Sequence, residues 1–284
     1  MKKYFVLIGI VCCIVGFSTK STQAQIVDGA FKRSGIAERK PMPLPSVREA
    51  DVMWSKKIWR IIDLREKMNQ VLYYPTTNMD GRTNLINLLL DGIKNGQLTA
   101  YDARTDDEFK VPMTFEQVKE AFGATTRTRK VRNLDTGEFE EKQIVGEIRP
   151  QEVKQFMIKE EWYFDKKNST MNVRIIGICP IQEYYRDEDV NHQNVQRRQV
   201  FWIYYPEARP LLASHSVINP NNTAQDMSFD DLFIKRKFNS YIVKESNVYN
   251  NRAISQYLTG RAAMEESKRI EQEIFNFEQD LWQY

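Results

Sequence analysis

The side chains of this sequence that could do chemistry are few, and they do not converge. Two histidines, His192 and His215, stand at no metal-ligand spacing with each other or with a cysteine. Neither a zinc site nor a histidine-based triad is therefore expected. Asp187, Asp189 and Asn191 match the first three ligand positions of a calcium loop, but His192 replaces the turning glycine and Arg198 the closing bidentate carboxylate. Asp226, Ser228 and Asp230 fail in the same way, with Asp231 and Lys237 in those positions. Cys179 sits between Ile178 and Pro180 at the end of an apolar run, the setting of a small buried hydrophobe rather than of an activated thiolate. Gly92 and Gly96 flank a helix end, and Gln97 stands where a phosphate-loop lysine would have to follow. Glu160-Glu161 and Asp106-Asp107-Glu108 are the carboxylate clusters that could serve sugar hydrolysis. Adjacent strand residues point to opposite faces, so these clusters are expected as surface charge. The expectation is a protein that is not an enzyme, with no catalytic residue, no metal and no cofactor.

Aromatic side chains are the abundant resource. Tyr73-Tyr74, Trp162-Tyr163-Phe164, Tyr184-Tyr185, Phe201-Trp202 and Tyr204-Tyr205 suit a core, a sheet face or an interface, because Tyr and Trp give large contact area at low entropy cost. In an extended chain each Tyr pair must send one ring outward. Trp54, Trp59, Tyr73, Tyr74, Tyr204 and Tyr205 are therefore interface candidates.

Several elements would position these residues. Ser46 to Glu49 reads as a capping box opening a helix, with Ala50, Trp54, Ile58, Ile61 and Arg65 on one stripe and Trp59, Ile62 and Leu64 widening it. Asp63 and Lys67 would support that helix as an i,i+4 pair, and Pro75 predicts an extended Val71–Tyr74. A second helix is predicted over Asn84–Lys94 with Gly96 as terminator, then an extended Leu98–Asp102. Thr114 to Gln117 opens a short helix ended by Gly123. Residues 125–147 read as a projecting polar hairpin, in which Arg127, Arg129, Lys130 and Arg132 are answered by Glu138, Glu140, Glu141 and Glu147. Ile158–Asp165 and Thr170–Cys179 are the densest strand signal, with Lys166–Ser169 as their loop. Phe201–Tyr205, stopped by Pro206, and Tyr241–Val243 are further strands, and Ser228–Asp231 caps a helix between them. Such irregular alternation predicts an α+β fold: a largely antiparallel sheet with several short helices, an N-terminal arm and a C-terminal helix. That helix, 261–284, spaces Ile270, Ile274, Phe277, Leu281 and Tyr284 as a heptad-type seam. Ile270, Ile274, Phe277 and Leu281 join the interface candidates, and the seam is open to docking on its own domain or on a partner.

Residues 1–24 have the form of a secretory leader: Lys2 and Lys3, an apolar run from Tyr4 to Phe17, and Thr22-Gln23-Ala24 as a cleavage site. The run is shorter than the about 20 residues a membrane anchor needs. The 284-residue chain carries 41 basic and 38 acidic residues. Lys2, Lys3 and Lys20 supply the whole excess, so the mature chain is close to neutral and its charge points to no nucleic acid. Little net charge means little repulsion against association. The mature chain keeps Cys179 alone, which excludes an internal disulfide framework. Residues 25–45, punctuated by prolines, read as an extended arm, either a disordered leader or a strap that orders on a neighbouring subunit. Residues 46–260 would form the core domain.

The stretch Asp51–Pro75, DVMWSKKIWRIIDLREKMNQVLYYP, resembles the signature of the GldN / PorN family, as do IKEEWYFD and VRIIGICPI within Ile158–Pro180 and FWIYYPEARPLL over Phe201–Leu212. The resemblance implies a periplasmic, structural component of the type IX secretion and gliding-motility machinery. Such a subunit would self-associate in a ring with a GldK/PorK-type outer-membrane lipoprotein. It would contact a GldM/PorM-type motor shaft, indirectly GldL/PorL, with no nucleic acid and no membrane span of its own. The alternative is a stand-alone periplasmic glycan- or peptidoglycan-binding module or hydrolase that stacks sugars on its aromatics.

Overall fold

The segment expected as the first helix is an inner strand. The structure, a computed structural model, describes residues 36, 38–79, 81–124, 127–132, 139–144, 146–185, 194–219, 222 and 225–281, with 127–132 and 139–144 as backbone only. In it Val52–Asp63 is strand β1, and the supposed capping box is a 3-10 turn, Glu49–Asp51, with no side-chain cap. Burial on both faces explains the difference. Ile58, Trp59 and Ile62 are all buried, so β1 lacks the polar alternation of a one-sided strand, and periodicity alone does not separate such a run from a buried helix. Asp63 then pairs with Arg65 instead of Lys67. The expected extended stretch before Pro75 is also wrong: Gln70–Tyr73 is a helical turn, α1, and only Tyr74 is extended, since the proline constrains just the residue before it.

Local signals elsewhere hold. Helix α2, Leu85–Lys94, is capped by the Asn84 side chain, which accepts the Asn87 amide at 2.8 Å, and stops where Gly96 takes φ +69°. Strands β2 (Ala100–Asp102) and β3 (Pro112–Met113) precede α3 (Phe115–Ala121), whose Thr114/Gln117 capping box makes both bonds. Strands β4 (Arg127–Arg132) and β5 (Phe139–Ile144) pair as the expected hairpin, its turn lying outside the described residues. The long hairpin β6 (Val153–Asp165) and β7 (Thr170–Tyr184) follows, then β8 (Gln196–Gln199) and β9 (Phe201–Tyr204). Pro206 does not stop a strand; it lies in the first turn of α4, Tyr205–Ala213, where its missing amide costs no hydrogen bond. Strands β10 (Ser216–Val217) and β11 (Met227–Ser228) pair, and the Ser228/Asp231 capping box opens α5, Phe229–Ile234. Strand β12 (Tyr241–Glu245) and helix α6 (Gly260–Asp280) complete the fold.

The main sheet runs β12-β1-β6-β7-β9-β2-β3, with β8 also on β7, and every pairing in it is antiparallel. The fold is α+β, as the sequence predicts. Register divides the side chains. Trp54, Lys56, Ile58, Arg60 and Ile62 share one face with Phe164, Trp162, Glu160, Ile158 and Phe156 of β6. At one end of that face Ile62, Phe156 and Ile158 join Leu85, Leu89, Val118, Leu212 and Phe229 in the main core. At the other end Ile58 and Ile242 meet Ile270 and Ile274 of α6. The opposite face carries Trp59, Cys179 and Trp202.

Residues 35–284 form one compact unit; residues 1–34, which include the expected leader, lie outside the described residues. The last part of the expected arm is tied to its own body. Arg39 pairs with Asp231 at 2.8 Å, Arg209 donates to the Met42 carbonyl at 2.6 Å, and Arg174 donates to the Pro45 carbonyl. The last two of these bonds reach backbone oxygens, and the Met42 and Leu44 side chains stay exposed.

Candidate interaction surfaces

The sheet face carrying Trp59 is closed by the β2–β3 connection. Register places Trp59 beside Lys159 and Lys244, and Gly177 beside Lys159 and Tyr204. Phe109, at φ +58°, drops its ring onto Gly177, where an added Cβ would stand 2.5 Å from the ring tip. The ring meets Tyr101, Trp202 and Tyr204 edge-on, with centroids 5.7, 5.9 and 5.7 Å away. Asp107 holds the same loop down. Lys159 Nζ donates to its carbonyl at 2.6 Å and Lys244 Nζ to its carboxylate at 2.9 Å, while both ammoniums lie over the Trp59 ring. Burial pushes the Lys159 ammonium below its usual range against the pull of Asp107. Burial also acts to raise the Asp107 carboxyl, but the hydrogen bond from Lys244 and the charge of Lys159 outweigh it and hold it low. Asp107 is thus a clamp and not the free surface charge that its acidic run suggests.

Glu160 overturns the same expectation. It is fully buried, receives Arg236 through two bonds at 2.8 and 3.3 Å and the Trp162 indole at 3.1 Å, and lies 3.4 Å from Arg60. Arg60 reaches on to Glu271 of α6 at 3.1 Å. The carboxylate therefore ties together β1, β6, the end of α5 and, through Arg60, α6. Cys179 is buried and its thiol is pushed up by desolvation, which suits a packing role. Among the described residues no group of three His, Cys, Asp or Glu could hold a metal. The calcium-like stretch Asp187–His192 lies outside them. A depression of about 220 Å³ lined by Asp102, Arg104, Met113 and Gln117 is smaller than the roughly 300 Å³ at which small-molecule pockets begin.

The candidate residues separate into core and surface. Ile270 and Ile274 are buried against Ile58, Ile242 and Ile254, and Phe277 stacks on Trp54. The Ser267 hydroxyl accepts the Ile242 amide at 3.0 Å, which covers the outer edge of β12. The seam thus meets the chain's own sheet, with Leu281 half-buried at its end. Trp59 is buried, and so is Tyr205, whose hydroxyl donates to Asp230 at 2.9 Å. Burial, followed by Asp230, drives the Tyr205 phenol upward. Tyr73 is half-buried: it accepts Lys154 Nζ at 2.7 Å and donates to the Gln151 carbonyl at 3.2 Å. Its neighbour Tyr74 is 53% exposed and Tyr204 is 41% exposed, so each pair does send one ring outward.

Sequence reasoning missed the turn after β12. Val248 and Tyr249 stand out from it, and the Arg252 guanidinium lies against both the Tyr249 and Tyr257 rings. The available signal was an apolar pair set among turn-forming asparagines, Asn247, Asn250 and Asn251. On α6, Met264 and Phe275 are exposed along one flank, beside the Ser267, Ile270 and Ile274 face that meets the sheet.

No described helix is long and apolar enough to cross a membrane. Among curated proteins none matches the chain. Residues 47–283, from just before β1 to past the end of α6, match the family described as gliding motility associated protein GldN. The match spans the blocks that carried the resemblance and most of the chain, so this protein belongs to the GldN family, whose members are components of the gliding-motility machinery and not a known family of enzymes.

Proposed function

We propose that this chain is a non-enzymatic structural subunit of the type IX protein secretion and gliding machinery, exported behind the leader at residues 1–24. In the periplasm it forms a ring with a GldK/PorK-type outer-membrane lipoprotein, which holds it at the inner face of that membrane. It couples there to a GldM/PorM-type shaft and through it to GldL/PorL. The family match over residues 47–283 carries this reading.

Physical features agree with it. A closed ring of identical subunits needs two different patches on each copy, and obligate contacts bury more than about 2,000 Å². Exposed apolar side chains are available on separate parts of the surface: Met42 on the strap, Tyr74 beside α1, Val248 and Tyr249 on the turn, and Met264 and Phe275 on α6. Of the original interface candidates, Tyr74 and Tyr204 keep that role directly. Trp54, Trp59, Tyr73, Tyr205, Ile270, Ile274, Phe277 and Leu281 support the surface from beneath.

The test is purification of the mature chain alone and with the lipoprotein from native envelopes. Alone it is expected to be monomeric or polydisperse, and with the lipoprotein to form a large defined complex. A monomer that ignores the lipoprotein and binds glycan would establish the stand-alone module instead.

A further inference from the structure

Residues 246–253 form a turn that is locked from within. The Asn247 side chain accepts the Tyr249 amide at 3.0 Å and donates to the Glu245 and Arg252 carbonyls at 3.3 and 3.2 Å. Asn251 Oδ1 accepts the Asn247 amide at 3.0 Å. Asn250 and Asn251 take φ +57° and +54°, a region that asparagine tolerates better than most residues. The turn therefore holds Val248, 90% exposed, and Tyr249 out in solvent.

Arg252 adds charge to that tip. Its guanidinium lies 4.6 Å from the Tyr249 ring centre and 4.5 Å from that of Tyr257. Both rings hold the guanidinium by cation–π contact. No carboxylate among the described residues pairs with it, whereas Arg65, Arg209 and Arg269 each have at least one. Exposed Tyr and Arg on a rigid turn are the side chains that dominate protein interfaces, at little ordering cost. The matching surface is an apolar group flanked by carboxylates.

Helix α6 presents such a surface. Phe275, 52% exposed, stands between Glu271 at i−4, which Arg60 already engages at 3.1 Å, and the half-buried Glu278 at i+3, neighbours on a helical surface. Met264 lies three turns back on the same stripe, with Lys268 between it and Glu271. That lysine directs an incoming arginine to the Glu278 end. We infer that the 246–253 turn of one copy docks on the Phe275 stripe of α6 in a second copy, with Val248 and Tyr249 covering Phe275 and Arg252 pairing with Glu278. The contact joins two different patches and is heterologous, the kind that closes rings. It rests on the self-association proposed above.

The experiment uses the full chain in the native envelope with Val248→Cys and Phe275→Cys together, treated with a short bismaleimide; Cys179 is buried. A ladder of cross-linked multimers is expected with both cysteines in one chain, and dimers only when each is in a separate co-expressed chain. Arg252→Glu and Glu278→Arg should each lower the yield about tenfold, the effect of losing one interfacial charge pair, and their combination should restore it. Arg252 is exposed and Glu278 half-buried, so Arg252→Glu should leave thermal unfolding unchanged and is the variant that decides if Glu278→Arg lowers it. A wild-type-sized complex with no cross-link, or single charge reversals without effect, overturns this docking and leaves the ring proposal standing. If the wild-type chain forms no large complex at all, both fall.

Discussion

Phe277 of α6 stacks on Trp54 of β1, with ring centroids 4.8 Å apart and 28° between the planes. The contact lies beyond the part of β1 that β12 pairs, Ile58 to Ile61, so the helix covers strand surface that no neighbouring strand supports on that side. Together with buried Ile270 and Ile274 it makes α6 an integral layer of the fold.

Removing residues 261–284 should therefore damage folding before it damages assembly. The deletion uncovers Ile58 and Ile242 and orphans the Ile242 amide that Ser267 receives. Ile270→Ala alone should cost about 2–5 kcal/mol, the range for emptying a fully buried large aliphatic site. Urea unfolding measures it. A cooperative wild-type-like transition in the truncated chain would mean that the helix is dispensable to the core.

Glu160→Gln should be among the costlier single substitutions. It leaves the shape of the site but removes the charge that Arg236 and Arg60 share in the buried interior. Breaking a buried pair in this way costs about 3–5 kcal/mol. Glu161→Gln, one residue along and on the opposite face, should stay within about 0.5 kcal/mol. Equal effects at the two positions would show that the burial of Glu160 has no energetic weight.

The two carboxylates also show where reading the sequence stops. Side-chain alternation correctly assigns Glu160 and Glu161 to opposite faces, but composition cannot say that Arg236, far along the chain and at φ +50°, turns back to meet the first of them. Local chemistry was readable: the Asn84, Thr114 and Ser228 caps and the β6–β7 hairpin are all where their residues put them. Elements defined by tertiary burial were not. Strand β1 passes for a helix because both its faces are covered, and α4 hides because Pro206 opens a helix as readily as it ends a strand. Surface candidates suffered from the same limit. Aromatic content located Trp59 and Trp202 but not the Phe109 loop that covers them, since a nine-residue polar connection gives no sign of folding inward.

Gly177 and Phe109 should behave as one unit. A methyl at 177 occupies the place of the Phe109 ring tip, so Gly177→Ala must push the ring, and the loop carrying Asp107, off the sheet. Phe109→Ala should be destabilising by about 2 kcal/mol, and Gly177→Ala by a similar amount. The double variant should fall short of their sum by about 1 kcal/mol, as for residues in contact. Denaturant unfolding of the four proteins provides the cycle, and strict additivity would separate the glycine from the ring.

The acid limb of the stability curve should carry the signature of Asp63. Burial acts to raise its pKa, but hydrogen bonds outweigh it: Arg65 donates from Nε at 2.9 Å, Nη2 at 2.5 Å and its amide at 3.0 Å, and Gln155 donates at 3.0 Å. The carboxyl is brought from its ordinary 3.8 to about 2. A depressed carboxyl binds its proton more weakly in the folded than in the unfolded chain, so the folded state gains where the unfolded state is already ionised. That contribution is complete above the ordinary value, declines as pH falls from there through about 2, and is absent below. Asp63→Asn lacks the contribution at every pH. Its urea midpoint should lie below that of wild type at about pH 5 and converge on it toward about pH 2, while the other depressed carboxyls, among them Asp102, Asp107, Asp231 and Glu266, titrate in both proteins alike. A difference that stays constant from about pH 5 to about pH 2 would mean that Asp63 stabilises by packing and not by its charge.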